Sequence, residues 1–297
     1  MNNHPKNIKT SYVLTAIITV VIFAVMLYSS YNPLIFYGFR SNKDFDTTKD
    51  FVRFFDVGQG DSALIYSNGY SALIDVGEYV TANDLSKSLF DCNIKSLDVV
   101  LISHLHTDHV SALPQIAQIF EIENLIMPKI FDDSIITAQN GKDTAVRQGS
   151  KFYFAKQGTH FNVGEFEITI LSAFEDFEEN NRSVFAMAEI DGVKFLFTGD
   201  AQKSAELLLL KENLNLDCDV LKVAHHGSNT STSKNFLRAT TPDYAVISVG
   251  ENNEYRHPHS QTLDSIEAQK ATIYRTDQCG DITFYLENGK ITVNTEK

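Results

Sequence analysis

The stretch Leu97-Asp98-Val99-Val100-Leu101-Ile102-Ser103-His104-Leu105-His106-Thr107-Asp108-His109 decides how the chain is read. Its first half is a short apolar run rich in β-branched residues, the pattern of a buried strand. Its second half places three imidazoles and a carboxylate within six residues. Imidazole nitrogen and carboxylate oxygen are the ligands that borderline cations such as zinc prefer. A histidine-rich surface loop, or histidines hydrogen-bonded in a core, would account for any one of these residues but not easily for four directly after a buried strand.

The same arrangement recurs further along. Val193-Lys194-Phe195-Leu196-Phe197-Thr198-Gly199 stops at Asp200, and Val220-Leu221-Lys222-Val223-Ala224 stops at His225-His226. Loops beyond strand ends are where a rigid scaffold gathers distant residues, so the repetition argues for one shared site. Around these strands the sequence predicts further β-rich runs at 51–57, 62–67, 70–76, 123–127, 151–155, 166–171, 184–190, 243–248, 272–275 and 281–286. Helical patterns are predicted at 82–91, 110–120, 201–211, 233–239 and 260–269. With no low-complexity linker between them, these elements predict one layered α/β domain, with sheets covered by helices.

Toward the N-terminus the composition changes. From Thr10 to Phe39 there is no charged residue, and Tyr12–Tyr28 is apolar apart from Thr15 and Thr19. About 20 such residues in a helix span a bilayer core of roughly 30 Å. A cleaved signal peptide and a buried core helix are the rival readings, but the run continues into Leu27-Tyr28-Ser29-Ser30-Tyr31 without a small-residue cleavage pattern. The reading adopted is an uncleaved signal anchor. His4, Lys6 and Lys9 before the span, against Arg40 and Lys43 after it, favour a cytoplasmic N-terminus and an exported C-terminal domain. The expected organisation is a cytoplasmic tip and transmembrane anchor over 1–30, a tether over 31–50 containing Asn32-Pro33 and Gly38, and the layered α/β domain over 51–297.

The formal net charge is −13, from 25 basic and 38 acidic residues. Residues 1–43 hold four of the basic residues and none of the acids, so the remainder carries 21 − 38 = −17. Broad basic surfaces for nucleic acid or anionic lipid are thereby excluded; for a phosphate substrate, bound cations would have to supply the positive charge. Cys92, Cys218 and Cys279 are odd in number and widely spaced, which fits bland thiols and neither a zinc ribbon nor a disulfide framework.

His104-x-His106-x-Asp108-His109 resembles the H-x-H-x-D-H signature of the metallo-β-lactamase superfamily. The resemblance covers nearly all of 51–290 and narrows to the exported hydrolase domain of ComEC-type competence proteins through Phe54–Ser62, Ile74–Gly77, Phe197–Asp200, Leu221–Ser228, Ser248–His259 and Tyr274–Asp277. It implies the αββα sandwich. It further implies two divalent metal ions, zinc or alternatively manganese: His104 and His106 on the first, Asp108 and His109 on the second, and Asp200 bridging both. His225 would complete the second site, with His226 adjacent, and Asp75 would orient a ligand histidine from behind. Many superfamily members supply a third histidine to the first metal. Here the corresponding stretch reads Glu178-Glu179-Asn180-Asn181, as the Asn-rich motif of ComEC-type domains does, leaving Asn180, Asn181 or water to fill the place.

Two such cations would activate a shared water as hydroxide and clamp phosphoryl or acyl oxygens, with Asp108 among the catalytic groups. Asp56, Gln59 and Asp61, in a loop made tight by Gly58 and Gly60, and Ser228 beyond the histidine pair are expected to contact substrate. His257 is the expected general acid, since histidine titrates near working pH. The predicted activity is a membrane-anchored phosphodiesterase or nuclease-like hydrolase acting on DNA or a cell-envelope phosphodiester, with a separate channel protein as a further partner. The alternatives are a lactam or lactone hydrolase and a non-catalytic binding module of the same fold.

Overall fold

The structure, a computed structural model, describes residues 12, 14–24, 45–129, 136–174 and 179–297. Residues 14–24 are helical and exposed. Among the described residues no helix is long and apolar enough to cross a membrane. Most of the predicted anchor and tether, including Lys6, Lys9, Asn32-Pro33, Gly38, Arg40 and Lys43, lies outside the described residues, as does Glu178.

Two sheets form the centre of the domain. The first has eight strands in the order β15(Lys290–Thr295), β14(Ile282–Glu287), β1(Asp50–Phe54), β2(Ala63–Ser67), β3(Tyr70–Ile74), β4(Ser96–Leu101), β5(Glu121–Met127) and β6(Lys151–Phe154). The second has seven, in the order β13(Thr272–Arg275), β12(Tyr244–Ile247), β11(Val220–Lys222), β10(Val193–Phe197), β9(Phe185–Ile190), β8(Phe166–Ser172) and β7(His160–Val163). Each sheet changes character once. Pairing is antiparallel up to β3 and parallel from β3 to β6. In the second sheet it is antiparallel from β7 to β10 and parallel from β10 to β13.

Strand periodicity sorts the side chains into layers, because successive residues face opposite sides of a sheet. Val52, Ile65, Ile74, Leu101, Phe195 and Val220 meet between the sheets. Phe51, Leu64, Leu73 and Val100 face the helices α1(Ala82–Asp91), α2(Thr107–Val110), α3(Leu113–Ile119) and α4(Ile136–Arg147). Leu196, Leu221, Ala245 and Ile247 face α5(Lys203–Lys211), α6(Lys234–Thr240) and α7(Ser260–Glu267), while the short α8(Thr276–Cys279) follows β13. The result is a four-layer helix–sheet–sheet–helix sandwich.

Every strand and helix predicted within 51–297 has a counterpart, and four elements are additional: β7, β15, α4 and the short α8. Helix α4 carries Gly141 in its middle, which weakens a helical reading. The packing explains the glycine, since a Cβ there would lie 2.7 Å from Leu113 Cγ. Phe45 packs edge-on against Phe51 at 5.1 Å and carries the Arg53 guanidinium 5.0 Å above its ring, so the packed domain reaches back into the predicted tether.

Candidate metal centre

The strand ends deliver the site. The carboxyl end of β3 leads to Asp75, that of β4 to His104, that of β10 to Asp200, and that of β11 to His225 and His226. Several of these corners use left-handed backbone: Asp75 at φ 57°, His225 at φ 52° and His226 at φ 53°. Such conformations are unfavourable for residues other than glycine, and a scaffold sustains them where side chains must be aimed. The loop after β1 crosses directly over Asp108. A Cβ on Gly60 would lie 2.5 Å from the Asp108 carbonyl oxygen, so only glycine permits the close approach that lets Asp61 N–H donate to that oxygen at 3.1 Å.

The ligand-type atoms converge in two groups that share Asp200. One contains His104, His106 and Asp200; the other contains Asp108, His109, Asp200 and His226. Asp200 Oδ1 lies 3.3 Å from His109 Nε2, and Asp200 Oδ2 lies 3.9 Å from His104 Nε2 and 3.5 Å from His226 Nε2. The groups border a cleft of about 500 Å³, lined also by Gln59, Glu78, Asn180, Tyr255 and His257.

His226, rather than the expected His225, joins the second group. Two consecutive left-handed residues turn the chain so that the second ring swings inward. Its Nδ1 donates to the Ser248 carbonyl at 2.9 Å, which turns Nε2 toward Asp108 Oδ2 at 3.1 Å. A backbone acceptor on one ring nitrogen is the usual way to present the other to a cation. His225 instead puts Nε2 3.8 Å from Asp200 Oδ2 and 3.5 Å from Asn180 Nδ2, with Nδ1 against the Thr230 hydroxyl at 3.2 Å. Its place at the strand end had suggested the opposite assignment.

Asp75 stands behind the cluster, as the resemblance implies. Its Oδ2 accepts from His109 Nδ1 at 2.9 Å and from the Ser103 hydroxyl at 2.6 Å, and its Oδ1 from Ser103 N–H at 2.7 Å. Other expectations change. Asn181 is tied to Gln202, accepting its N–H at 3.0 Å, and does not reach the cleft. Asn180 does line the cleft, and its Oδ1 is buried without a hydrogen-bond partner. Asp56 faces Lys297 at 3.3 Å, away from the cleft, and its backbone N–H donates to Asp281 at 2.7 Å. Ser228 is 3% exposed and hydrogen-bonded to Thr230. Asp61 lies beneath the histidines, paired with Lys222 Nζ at 2.6 Å. Of the four expected substrate contacts only Gln59 lines the cleft; its Nε2 is buried without a partner, and its Oε1 accepts from Gly250 N–H at 3.2 Å.

Electrostatics favours a bound cation. Burial opposes charge on His109 and His226, yet Asp200 and the neighbouring carboxylates outweigh it, holding His109 well above the usual imidazole range and His226 at about 10. Protons on these rings stand where a divalent ion would, and such an ion would displace them. Burial and the nearby His109 charge push His104 well below the usual range, leaving a neutral ring suited to ligation. The Nε2 atoms of His104 and His109 and Oδ1 of Asp200 are buried without hydrogen-bond partners. Unsatisfied buried donors and acceptors are rare, and here they face one another; the residues fit a pair of divalent ions.

His257 does not suit the role expected of it. Burial and the neighbouring His226 and His225 lower its pKa to about 4, so it is neutral near pH 7 and is not the imidazolium that a general acid requires. It stacks between His226 and Tyr255, with ring centroids 6.3 and 5.6 Å away.

A four-layer αββα sandwich with a shared-carboxylate His/Asp cluster at the strand ends defines a class of metal-binding proteins. The metallo-beta-lactamase superfamily model matches residues 55–251, and the chain belongs to that superfamily. Two curated relatives are bacterial competence proteins of the ComEC type. ComE operon protein 3 of Bacillus subtilis is 28% identical over 80% of this chain and 33% of its own length, and competence protein ComA of Neisseria gonorrhoeae is 30% identical over 81% and 33%. The chain thus spans about a third of the length of these relatives. Among solved structures, the metallo-beta-lactamase fold protein YhfI from Bacillus subtilis covers 75% of this chain and 96% of its own, with a TM-score of 0.51 at 14% identity, a likeness of fold.

Proposed function

We propose that the chain is a membrane-anchored, metal-dependent phosphodiesterase whose catalytic domain lies outside the cytoplasm. The observation that carries this reading is the single buried carboxylate, Asp200, shared by two groups of ligand atoms at the floor of an open cleft. His104, His106 and Asp200 would hold one ion and Asp108, His109, Asp200 and His226 the other, zinc or alternatively manganese. Bound there, the ions supply Lewis acidity toward substrate oxygens and lower the pKa of a water. The charge-free run from Thr10 to Phe39 supports the anchor, and the likeness to competence proteins supports a nucleic-acid or other phosphodiester substrate over a lactam or lactone.

The protein's own groups position the reaction. Asp75 and the Ser248 carbonyl fix the ring orientations of His109 and His226. The unpartnered Nε2 of Gln59 donates to a substrate oxygen from the rim, and the neutral His257 offers a hydrogen bond to the leaving group without carrying a charge. Asn180 faces the cleft beside His225, where it would meet substrate or solvent.

The test is an assay of the solubilised full chain with zinc or manganese against bis-p-nitrophenyl phosphate, single-stranded DNA and a chromogenic β-lactam, alongside Asp108→Ala. Phosphodiester cleavage abolished by the substitution is expected. Hydrolysis confined to the lactam, or phosphodiester cleavage that survives Asp108→Ala, would refute the proposal; metal bound with no turnover of any substrate would favour a binding module.

A further inference from the structure

A second cavity, of about 610 Å³, lies between α5, α6 and α7 and is separate in its lining from the histidine cleft. The two are joined by one loop. Thr230, whose hydroxyl touches His225 Nδ1, gives its carbonyl to the N–H of Lys203, the first residue of α5. Asn229, on the cavity wall, takes Lys203 Nζ on its carbonyl at 2.6 Å and donates its N–H to His259 Nδ1 at 3.0 Å. A chain leaving the cleft past His225 would therefore meet this cavity next.

Its chemistry is that of an anion channel. Lys203, Lys234 and Arg238 line it in a molecule whose net charge is −13. Lys234 and Arg238, four residues apart on α6, share one helix face. Gln261 adds an amide donor to the opposite wall, beside Ser265, whose hydroxyl donates to the Gln261 carbonyl at 2.8 Å and leaves only its oxygen lone pairs toward the groove. Two further hydroxyls in the lining, Ser231 Oγ and Thr232 Oγ1, are buried without hydrogen-bond partners, their residues being 2% and 4% exposed. An unsatisfied buried hydroxyl is costly, and both belong to the loop that carries the histidine pair. The carboxylates nearby do not change the sign: Asp264 is the one in the lining, and Glu206 is engaged behind the loop by the backbone N–H groups of Thr232 and Ser233.

We infer that this groove binds the phosphate backbone of a single extended phosphodiester strand, holding the part that continues beyond the bond being cleaved. The inference rests on the phosphodiesterase reading for its substrate class. It also explains how so acidic a domain engages a polyanion: at two local points, the metal centre and this groove.

The experiment measures binding without turnover. A fluorescein-labelled, hydrolysis-resistant phosphorothioate oligothymidylate is titrated with the metal-loaded full chain across a salt series, comparing wild type with Lys203→Gln/Lys234→Gln/Arg238→Gln and with Lys234→Gln alone, each checked by its thermal midpoint. Each phosphate contact to a single strand contributes about 0.7 to the log–log salt slope, so the triple variant should lose about 2 in slope and bind at least about tenfold more weakly. The single variant, on an exposed helix face, should lose about one third of that. Competition by polyglycerol phosphate would assign the strand to the cell envelope and its failure to compete would assign it to nucleic acid; both uphold the groove. Unchanged affinity and slope in a folded triple variant, or equal competition by polyglutamate, would overturn it. Failure of the wild type to hydrolyse bis-p-nitrophenyl phosphate would remove the phosphodiesterase reading and leave this binding result to be judged by itself.

Discussion

Lys222 Nζ lies 2.6 Å from Asp61 Oδ2 with both side chains almost sealed from solvent, at 4% and 6% exposure, directly beneath the histidines. The ammonium also donates to the Val223 carbonyl at 3.0 Å, and Asp61 reaches toward His226 Nδ1 at 3.5 Å. A lysine at the end of a central strand thus supplies a fixed positive charge under a cluster of carboxylates.

Removing that charge alone should be severe. Lys222→Met leaves Asp61 buried without its partner, which typically costs about 3–5 kcal/mol. Denaturant unfolding should register the loss, and the double variant Lys222→Met/Asp61→Asn should recover a large part of it. A single variant as stable as wild type would contradict the pairing described.

The two adjacent histidines should separate cleanly in metal content. His226→Ala removes a member of the four-residue group and should lower the metal bound per chain by about one equivalent, measured by elemental analysis after dialysis. His225→Ala should retain the second ion. The reverse outcome would restore the assignment suggested by the strand end.

Glu206 supplies a pH test away from the metal centre. It is fully buried, and burial raises its pKa above the ordinary 4.5 despite the N–H groups it accepts. An acid whose folded pKa exceeds its unfolded value holds more protons when folded. Its contribution is therefore most favourable below pH 4.5 and is lost as pH rises through the folded pKa. In Glu206→Gln this slope disappears, so the thermal midpoint of the variant relative to wild type should rise with pH over that window. A pH-independent difference would count against the assignment.

The cysteines should divide in the same physical way. Burial pushes Cys92 up to about 12 and raises Cys218 strongly as well, while Cys279 is only half-buried. A thiol reagent at mildly alkaline pH should modify no more than one thiol in the native chain and all three after denaturation. Rapid reaction of two or more native thiols would show that the core opens readily.

The strand ends were the most legible part of the sequence because composition and spacing agreed there: apolar run, then ligand-type residues. His104, His106, Asp108, His109 and Asp200 could be placed together on that ground. Distinguishing His225 from His226 could not be done by spacing, because left-handed backbone at both residues decides which ring turns inward. Asp56 and Asp61 looked equivalent in one glycine-rich loop, yet Lys297 draws one outward and Lys222 holds the other beneath the site, contacts of high sequence separation. Lys222 had a signal that could have been read, a lone charge inside an apolar strand. Helix α4 and strand β15 were obscure because Gly141 interrupts one pattern and the alternating Lys290–Thr295 edge strand is largely polar on its exposed side.

The change from antiparallel to parallel pairing occurs once in each sheet, at β3 and at β10, and the strands at those two junctions lead into Asp75 and Asp200. The candidate centre therefore lies across the seam between two half-molecules of similar plan, one contributing His104, His106, Asp108 and His109 and the other Asp200 and His226. A cation held there acts as a rivet: its binding free energy adds to the docking of the halves, so that chelation should loosen the sandwich as a whole, in proportion to the logarithm of ion concentration over dissociation constant.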